Sequence, residues 1–228
     1  MNDAKITFIN HACFTIEKDD EMVIVDPWFF GRVFNESWSL LRETTLDLKK
    51  IKYIFITHEH PDHLHWPTLQ YIKKHTDQEI NVVVGLRKNK NVVNNIRKLG
   101  FKCAEIPPNK EYRINSFLKV ANFPTIYDSA YVFIADDKVI LNQNDCHLSP
   151  SQCKAIKSQY PQIDVWWMQF SLAGYYANHD DAEGLEKARE HHKKLIEHYY
   201  NYFQPDIFVP FASFVYFCKQ HNAFLNDW

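Results

Sequence analysis

The chain has 228 residues, 46% of them hydrophobic and 15% aromatic, which supplies a substantial core and excludes a disordered chain. Its 26 basic and 28 acidic residues leave a net charge of −2, which excludes non-specific nucleic-acid binding through overall charge. No apolar run approaches the roughly 20 residues of a membrane span. The local cluster Lys88, Lys90, Arg97 and Lys98 reads as a solvated helix face. Five cysteines without C-x-x-C spacing, and no basic-then-apolar opening segment, lead us to expect a reduced, cytoplasmic protein. Without a linker or low-complexity tract, one domain over 1–228 is expected.

The first elements are three short strands at 5–9, 14–17 and 22–25, turned at Asp19, Asp20 and Glu21 and therefore antiparallel where they follow closely. His11 lies in the first connection and Asp26 ends the third strand. Residues 29–48, with FFGRVFNESWSLL at their heart, show no period and are expected to be a long aromatic loop at the pocket. A buried strand follows at 53–57, then a helix at 64–75, a strand at 80–84 and a helix at about 89–99 stopped by Gly100. After a short strand at 102–106, the segments 112–123, 130–135 and 138–142 form an antiparallel meander. Ser149 caps a helix with Pro150 at its first position, and Pro161 ends it. A strand at 164–170, a loop carrying Gly174, Tyr175, Asn178 and His179, a long helix at 182–202 and a strand at 207–210 complete the pattern. The histidines His191, His192 and His198 are expected to be ordinary helix residues. Strand groups interleaved with helices predict two sheets face to face with helices outside.

The stretch YIFITHEHPDHLH, at 53–65, concentrates the chemistry. Strand alternation points His58 and His60 the same way and Glu59 away. Pro61 turns the chain off the sheet, so Asp62 and His63 come from the turn and the start of the next helix. Imidazoles with a carboxylate suit zinc or iron. A divalent metal lowers the pKa of a bound water from about 15.7 to roughly 7, and Asp62 can orient that water, take its proton or bind a second metal.

THEHPDH resembles the THxHxDH signature of the metallo-β-lactamase superfamily, with His58, His60, Asp62 and His63 matching. INHACFTIE and VIVDPW resemble elements of its lactonase and phospholipase-like branches. DPWFFGRVFNESWSLL, LNQNDCHL and QPDIFVPFASFVYF, followed by Asn222 and Asn226, are similar to the C-terminal domain of the CMP-N-acetylneuraminate hydroxylase family. The resemblance implies an α/β (α+β) fold, an αββα sandwich of two mixed sheets flanked by helices, with the site at the sheet edges. It implies metal ligands at His58, His60, Asp62 and His63, a bridging Asp145, and catalytic or substrate-facing roles for Asp62 and His11, with Asp26 beside them. Two departures stand out. Where the superfamily places a further histidine after the meander, Asp128 is the nearest candidate ligand. Near the C-terminus Ala212 stands where another is expected, with His179 or His221 as candidates to complete the site.

These residues imply one or two divalent ions, zinc or iron with manganese also suitable, and a small-molecule substrate. The leading expectation is a hydrolase using a metal-bound hydroxide on a phosphodiester, lactone or amide bond of a sugar- or nucleotide-linked metabolite. The alternative is an iron-dependent oxygenase of a nucleotide sugar or related metabolite. The paired Cys-x-His and Cys-x-x-His ligands of a Rieske cluster are missing from this sequence, so that chemistry implies a separate redox partner. A third expectation is a non-catalytic metal-binding scaffold. No nucleic-acid or membrane partner is expected.

Overall fold

A computed structural model describes residues 3–172 and 176–227. In chain order its elements are β1 (Lys5–Asn10), β2 (Cys13–Lys18), β3 (Glu21–Val25), β4 (Arg32–Val33), β5 (Trp38–Leu40), β6 (Ile51–Ile56), α1 (Trp66–His75), β7 (Asn81–Gly85), α2 (Asn91–Lys98), β8 (Lys102–Ile106), β9 (Glu111–Arg113), β10 (Leu118–Pro124), β11 (Ser129–Ala135), β12 (Lys138–Asn144), α3 (Pro150–Gln159), β13 (Val165–Gln169), α4 (Ala182–Phe203), β14 (Ile207–Phe211) and β15 (Val215–Phe217). Gly174 and Tyr175 of the expected pocket loop lie outside the described residues.

Two six-stranded sheets carry the fold, ordered β1-β2-β3-β6-β7-β8 and β14-β13-β12-β11-β10-β9. Each is mixed in the same way. Short turns make β1, β2 and β3 antiparallel, whereas β3, β6, β7 and β8 run parallel, joined by the β4–β5 hairpin segment and then by α1 and α2. The second sheet repeats this scheme, with β9 to β12 antiparallel and β12, β13 and β14 parallel.

Between the sheets lies an aromatic layer. Phe14 stacks on Trp167 at 4.9 Å and meets Phe211 edge-on, while Phe55 meets Phe133 and Tyr131 edge-on. All six rings are buried, and truncating one such ring to alanine costs about 3–5 kcal/mol. On the outer faces, Leu69, Ile72, Val93 and Ile96 bury against the first sheet and Ile156, Tyr199 and Phe203 against the second. The layering is αββα, the metallo-β-lactamase fold.

Local chemistry accounts for the boundaries. α1 begins at Trp66 rather than at Leu64, because His65 caps it: Nδ1 accepts the Thr68 amide, and a proline follows in the first turn. Ser149 and Gln152 form a reciprocal capping box on α3. The expected strand at 112–123 breaks into β9 and β10, since the Asn115 side chain accepts the amides of Phe117 and Leu118 and closes a turn.

The expected loop at 29–48 is largely tied down. β4 and β5 form a hairpin whose turn residues Phe34, Asn35 and Glu36 all have positive φ, and β5 pairs with β15 from the C-terminal segment. That pairing spans most of the chain, so no local period announces it. Asn226 reinforces β15 by accepting the Phe217 amide at 2.8 Å and donating to its carbonyl at 3.0 Å. Among the described residues no helix is long and apolar enough to cross a membrane.

Candidate metal centre

The parallel strands β3, β6, β12, β13 and β14 end at one edge of the sandwich, where an open α/β sheet presents its site. His11, Asp26, Asn144 and Ala212 lie at this edge with φ of 30°, 44°, 56° and 55°. None is glycine, so each holds a strained left-handed backbone. Such strain persists where the surrounding structure fixes it and concentrates at functional sites.

Asp26 organises the floor. Its carboxylate accepts the Thr57 amide at 2.9 Å and the Thr57 hydroxyl at 2.6 Å, and its Oδ2 lies 2.9 Å from His63 Nδ1. Asn144 Nδ2 donates to Thr57 Oγ1 at 2.6 Å. All four side chains are buried. His63 therefore presents Nε2 upward, which is how a carboxylate behind an imidazole fixes the nitrogen it offers.

Two trios of donor groups sit above this floor. One is His11, Asp62 and His63; the other is His58, His60 and Asp145. In the first, Asp62 Oδ2 lies 2.9 Å from His11 Nε2 and 3.4 Å from His63 Nε2. In the second, His58 Nε2 lies 2.8 Å from His60 Nδ1 and 3.8 Å from Asp145 Oδ2. The same Asp145 oxygen is 3.5 Å from His63 Nε2, so Asp145 joins the trios.

The separations of 2.8, 2.9 and 3.4 Å fit a metal, and those at Asp145, 3.5 and 3.8 Å, are somewhat wider. Two ligand atoms at roughly 2.0–2.1 Å from one ion stand about 2.9–3.4 Å apart in octahedral or tetrahedral geometry. The buried atoms Asp62 Oδ1, His63 Nε2 and Asp145 Oδ1 have no hydrogen-bond partner in the protein. Buried polar atoms without partners are costly, and these three belong to side chains that form the two trios.

Charge coupling supports this. Burial, followed by repulsion from His63 and His60, lowers the His58 pKa to about 3 and keeps that imidazole neutral. Burial alone would lower His63, but Asp62, Asp145 and Asp26 outweigh it and raise it well above its ordinary value. Conversely, burial would raise Asp62 and Asp145, yet His63 and its neighbours hold both below the usual carboxylate range.

The remaining sequence candidates fall outside the trios. Asp128 Oδ1 stands 3.6 Å from His58 Nδ1, the ring nitrogen facing away from His60, and burial followed by Asp145 raises its pKa. The segment carrying it is gripped by Arg87, whose guanidinium donates to the carbonyls of Thr125, Ile126 and Asp128 and to Ser129 Oγ. His179 and His221 line the pocket above the centre but belong to neither trio.

That pocket has a volume of about 1100 Å³ and opens over His60, Asp62 and Asp145. One wall is Phe34, Trp38 and Phe217 from the small sheet, and another is Tyr176 and His192. His192, expected to be an ordinary helix residue, is buried with Nε2 at 2.9 Å from the Tyr176 hydroxyl. Only its position on the inner face of α4 reveals that role.

Comparison with known proteins agrees with this fold. Residues 5–164 match the family model described as the beta-lactamase superfamily domain. The chain is 28% identical to the cytidine monophosphate-N-acetylneuraminic acid hydroxylase of Asterias rubens over 98% of its own length and 36% of that protein's. It thus spans little more than a third of that relative. The fold is similar to that of CmlA, a diiron β-hydroxylase from Streptomyces venezuelae, with TM-score 0.67, 17% identity and coverage of 93% of this chain and 45% of that one. It is also similar to a possible metal-dependent hydrolase from Veillonella parvula, with TM-score 0.65, 12% identity and coverage of 97% and 88%.

Proposed function

The chain belongs to the beta-lactamase superfamily domain family, and from that premise and the two facing donor trios we propose that it is a metal-dependent hydrolase of a small polar metabolite. The observation that carries this reading is the pair of donor trios, joined where Asp145 Oδ2 stands 3.5 Å from His63 Nε2, beneath an open pocket. His58, His60, Asp62, His63 and Asp145 would hold the metal, and Asp128 stands behind His58, 3.6 Å from its Nδ1. When bound, one or two zinc, iron or manganese ions would supply Lewis acidity and a water acidified to about pKa 7.

The chain's own groups do the rest. Asp62 would orient the attacking water, while Asp26 and Asn144 hold the floor rigid. The aromatic wall of Phe34, Trp38 and Phe217 excludes bulk water and packs on the substrate. Phosphodiester, lactone and amide bonds of sugar- or nucleotide-linked metabolites are the targets this reading supports.

One observation favours a second reading. The 28% identity to a nucleotide-sugar hydroxylase extends along 98% of the chain, and the mixed imidazole and carboxylate donors of the two trios suit iron as well as zinc. An iron-loaded centre would supply oxygenation, with electrons delivered by a separate redox protein. A panel of phosphodiester, lactone and amide substrates, assayed with zinc or manganese and no reductant, separates the two. Hydrolysis lost on chelation and in Asp62→Ala supports the first reading. Inactivity toward the whole panel, with oxygen uptake only when iron and a reductant are present, overturns it in favour of the second.

A further inference from the structure

We infer that His11 is itself a ligand of the second metal position, closing the coordination that Ala212 at the end of β14 leaves open. The inference rests on the metal-centre reading above and extends it to a residue outside the 58–63 motif.

The two segments meet directly. The Ala212 amide donates to the His11 carbonyl at 2.8 Å, and both residues hold positive φ, at 55° and 30°. Ala212 lines the pocket but offers only a methyl group. His11, held fully buried from the opposite side, brings Nε2 to 2.9 Å from Asp62 Oδ2. That separation falls within the about 2.9–3.4 Å expected between two ligands of one ion. His63 Nε2 completes the trio at 3.4 Å from the same carboxylate oxygen, and the His11 and His63 rings stand 5.8 Å apart at 61°.

The surroundings fix the ring. Trp28 and Trp38 meet the imidazole edge-on, with interplanar angles of 83° and 75°. A histidine serving only to brace Asp62 would leave the position above His63 with two protein donors plus the shared Asp145. With His11 the set is His11, Asp62, His63 and Asp145, matching His58, His60 and Asp145 on the other side in donor type. His179 and His221, the sequence's alternatives for the missing imidazole, are not within either trio.

The test counts metal rather than turnover. Protein stripped with chelator, loaded with excess Mn(II) and desalted is analysed by plasma mass spectrometry and electron paramagnetic resonance. Wild type is expected to hold about two ions per chain with the many-line spectrum of a coupled pair. His11→Gln, which keeps a hydrogen-bonding group beside Asp62, is expected to hold about one ion and give an isolated Mn(II) signal. Circular dichroism and a cooperative melt confirm that the variant is folded, and His11→Ala repeats the count without an amide. Two coupled ions in both folded variants would overturn the inference while leaving the metal-centre reading intact. A wild-type chain that takes up no metal overturns both.

Discussion

Replacing Asp26 by asparagine tests whether the centre is built from its floor upward. The side chain is buried and receives two donors from Thr57 while its Oδ2 faces His63 Nδ1 at 2.9 Å. An amide of the same shape must point its NH2 at one of these donors in either orientation. If it meets His63, the imidazole proton is driven to Nε2, into the space a metal must occupy. Losing a hydrogen bond to a charged group costs about 1.5–3 kcal/mol. Removing the partner behind a ligating histidine typically weakens metal binding about 10–100-fold, or about 1.4–2.7 kcal/mol. We therefore expect Asp26→Asn to raise the metal dissociation constant by that factor, measured by competition with a fluorescent chelator. Folding is checked by thermal melting of the metal-free chain. A folded Asp26→Asn binding metal within about twofold of wild type would refute the reasoning.

Further outcomes follow from other contacts. Arg87→Met should free the segment carrying Asp128 by removing donors to three carbonyls, seen as faster hydrogen exchange at 125–128 and a lower Tm. In Gly85→Ala the new methyl would collide with Ser129 Oγ and sit 2.9 Å from Asn122 Nδ2, an overpacking cost of about 1–3 kcal/mol measured by denaturant unfolding. Asn226→Ala should loosen β15 and the aromatic wall, raising KM while metal content stays unchanged.

The metal-free chain should also show a stability maximum near pH 6.5. His63 is raised in the fold, so its contribution is complete below its unfolded value and fades as pH rises through the folded one. His58 is lowered to about 3, so between 6.5 and that value the unfolded chain takes a proton the fold refuses, and stability falls with acid. His58→Gln should flatten the acid limb of a Tm-versus-pH curve, and an unchanged slope would count against a buried neutral His58. Because His63 must lose its proton to ligate, metal affinity should rise with pH.

The part of the site legible in the sequence is the part encoded locally. His58, His60, Asp62 and His63 lie within seven residues of the end of β6, so their closeness in sequence groups them, although β6 ends at Ile56 and strand alternation does not reach His58. Asp145 emerged from strand-end placement and family resemblance. His11 and Asp26 were visible as polar residues at strand ends, but their partners are 51 and 37 residues away and depend on which strands adjoin. The positive φ at Ala212 leaves no signal in residue type, whereas Asp26 and Asn144 are types that enter this region more readily. Likewise the order of strands and helices predicted two sheets with helices outside, and the family resemblance that both are mixed, whereas the β5–β15 pairing across most of the chain could not be read from a segment of 20 residues without period.

The most direct test of the account is the metal content of the chain purified without added metal, compared with His60→Ala and Asp145→Asn. The account predicts between about one and two equivalents of zinc, iron or manganese in wild type, with a clear loss in each folded variant. Wild type without metal, even after loading with excess of each ion, would contradict it.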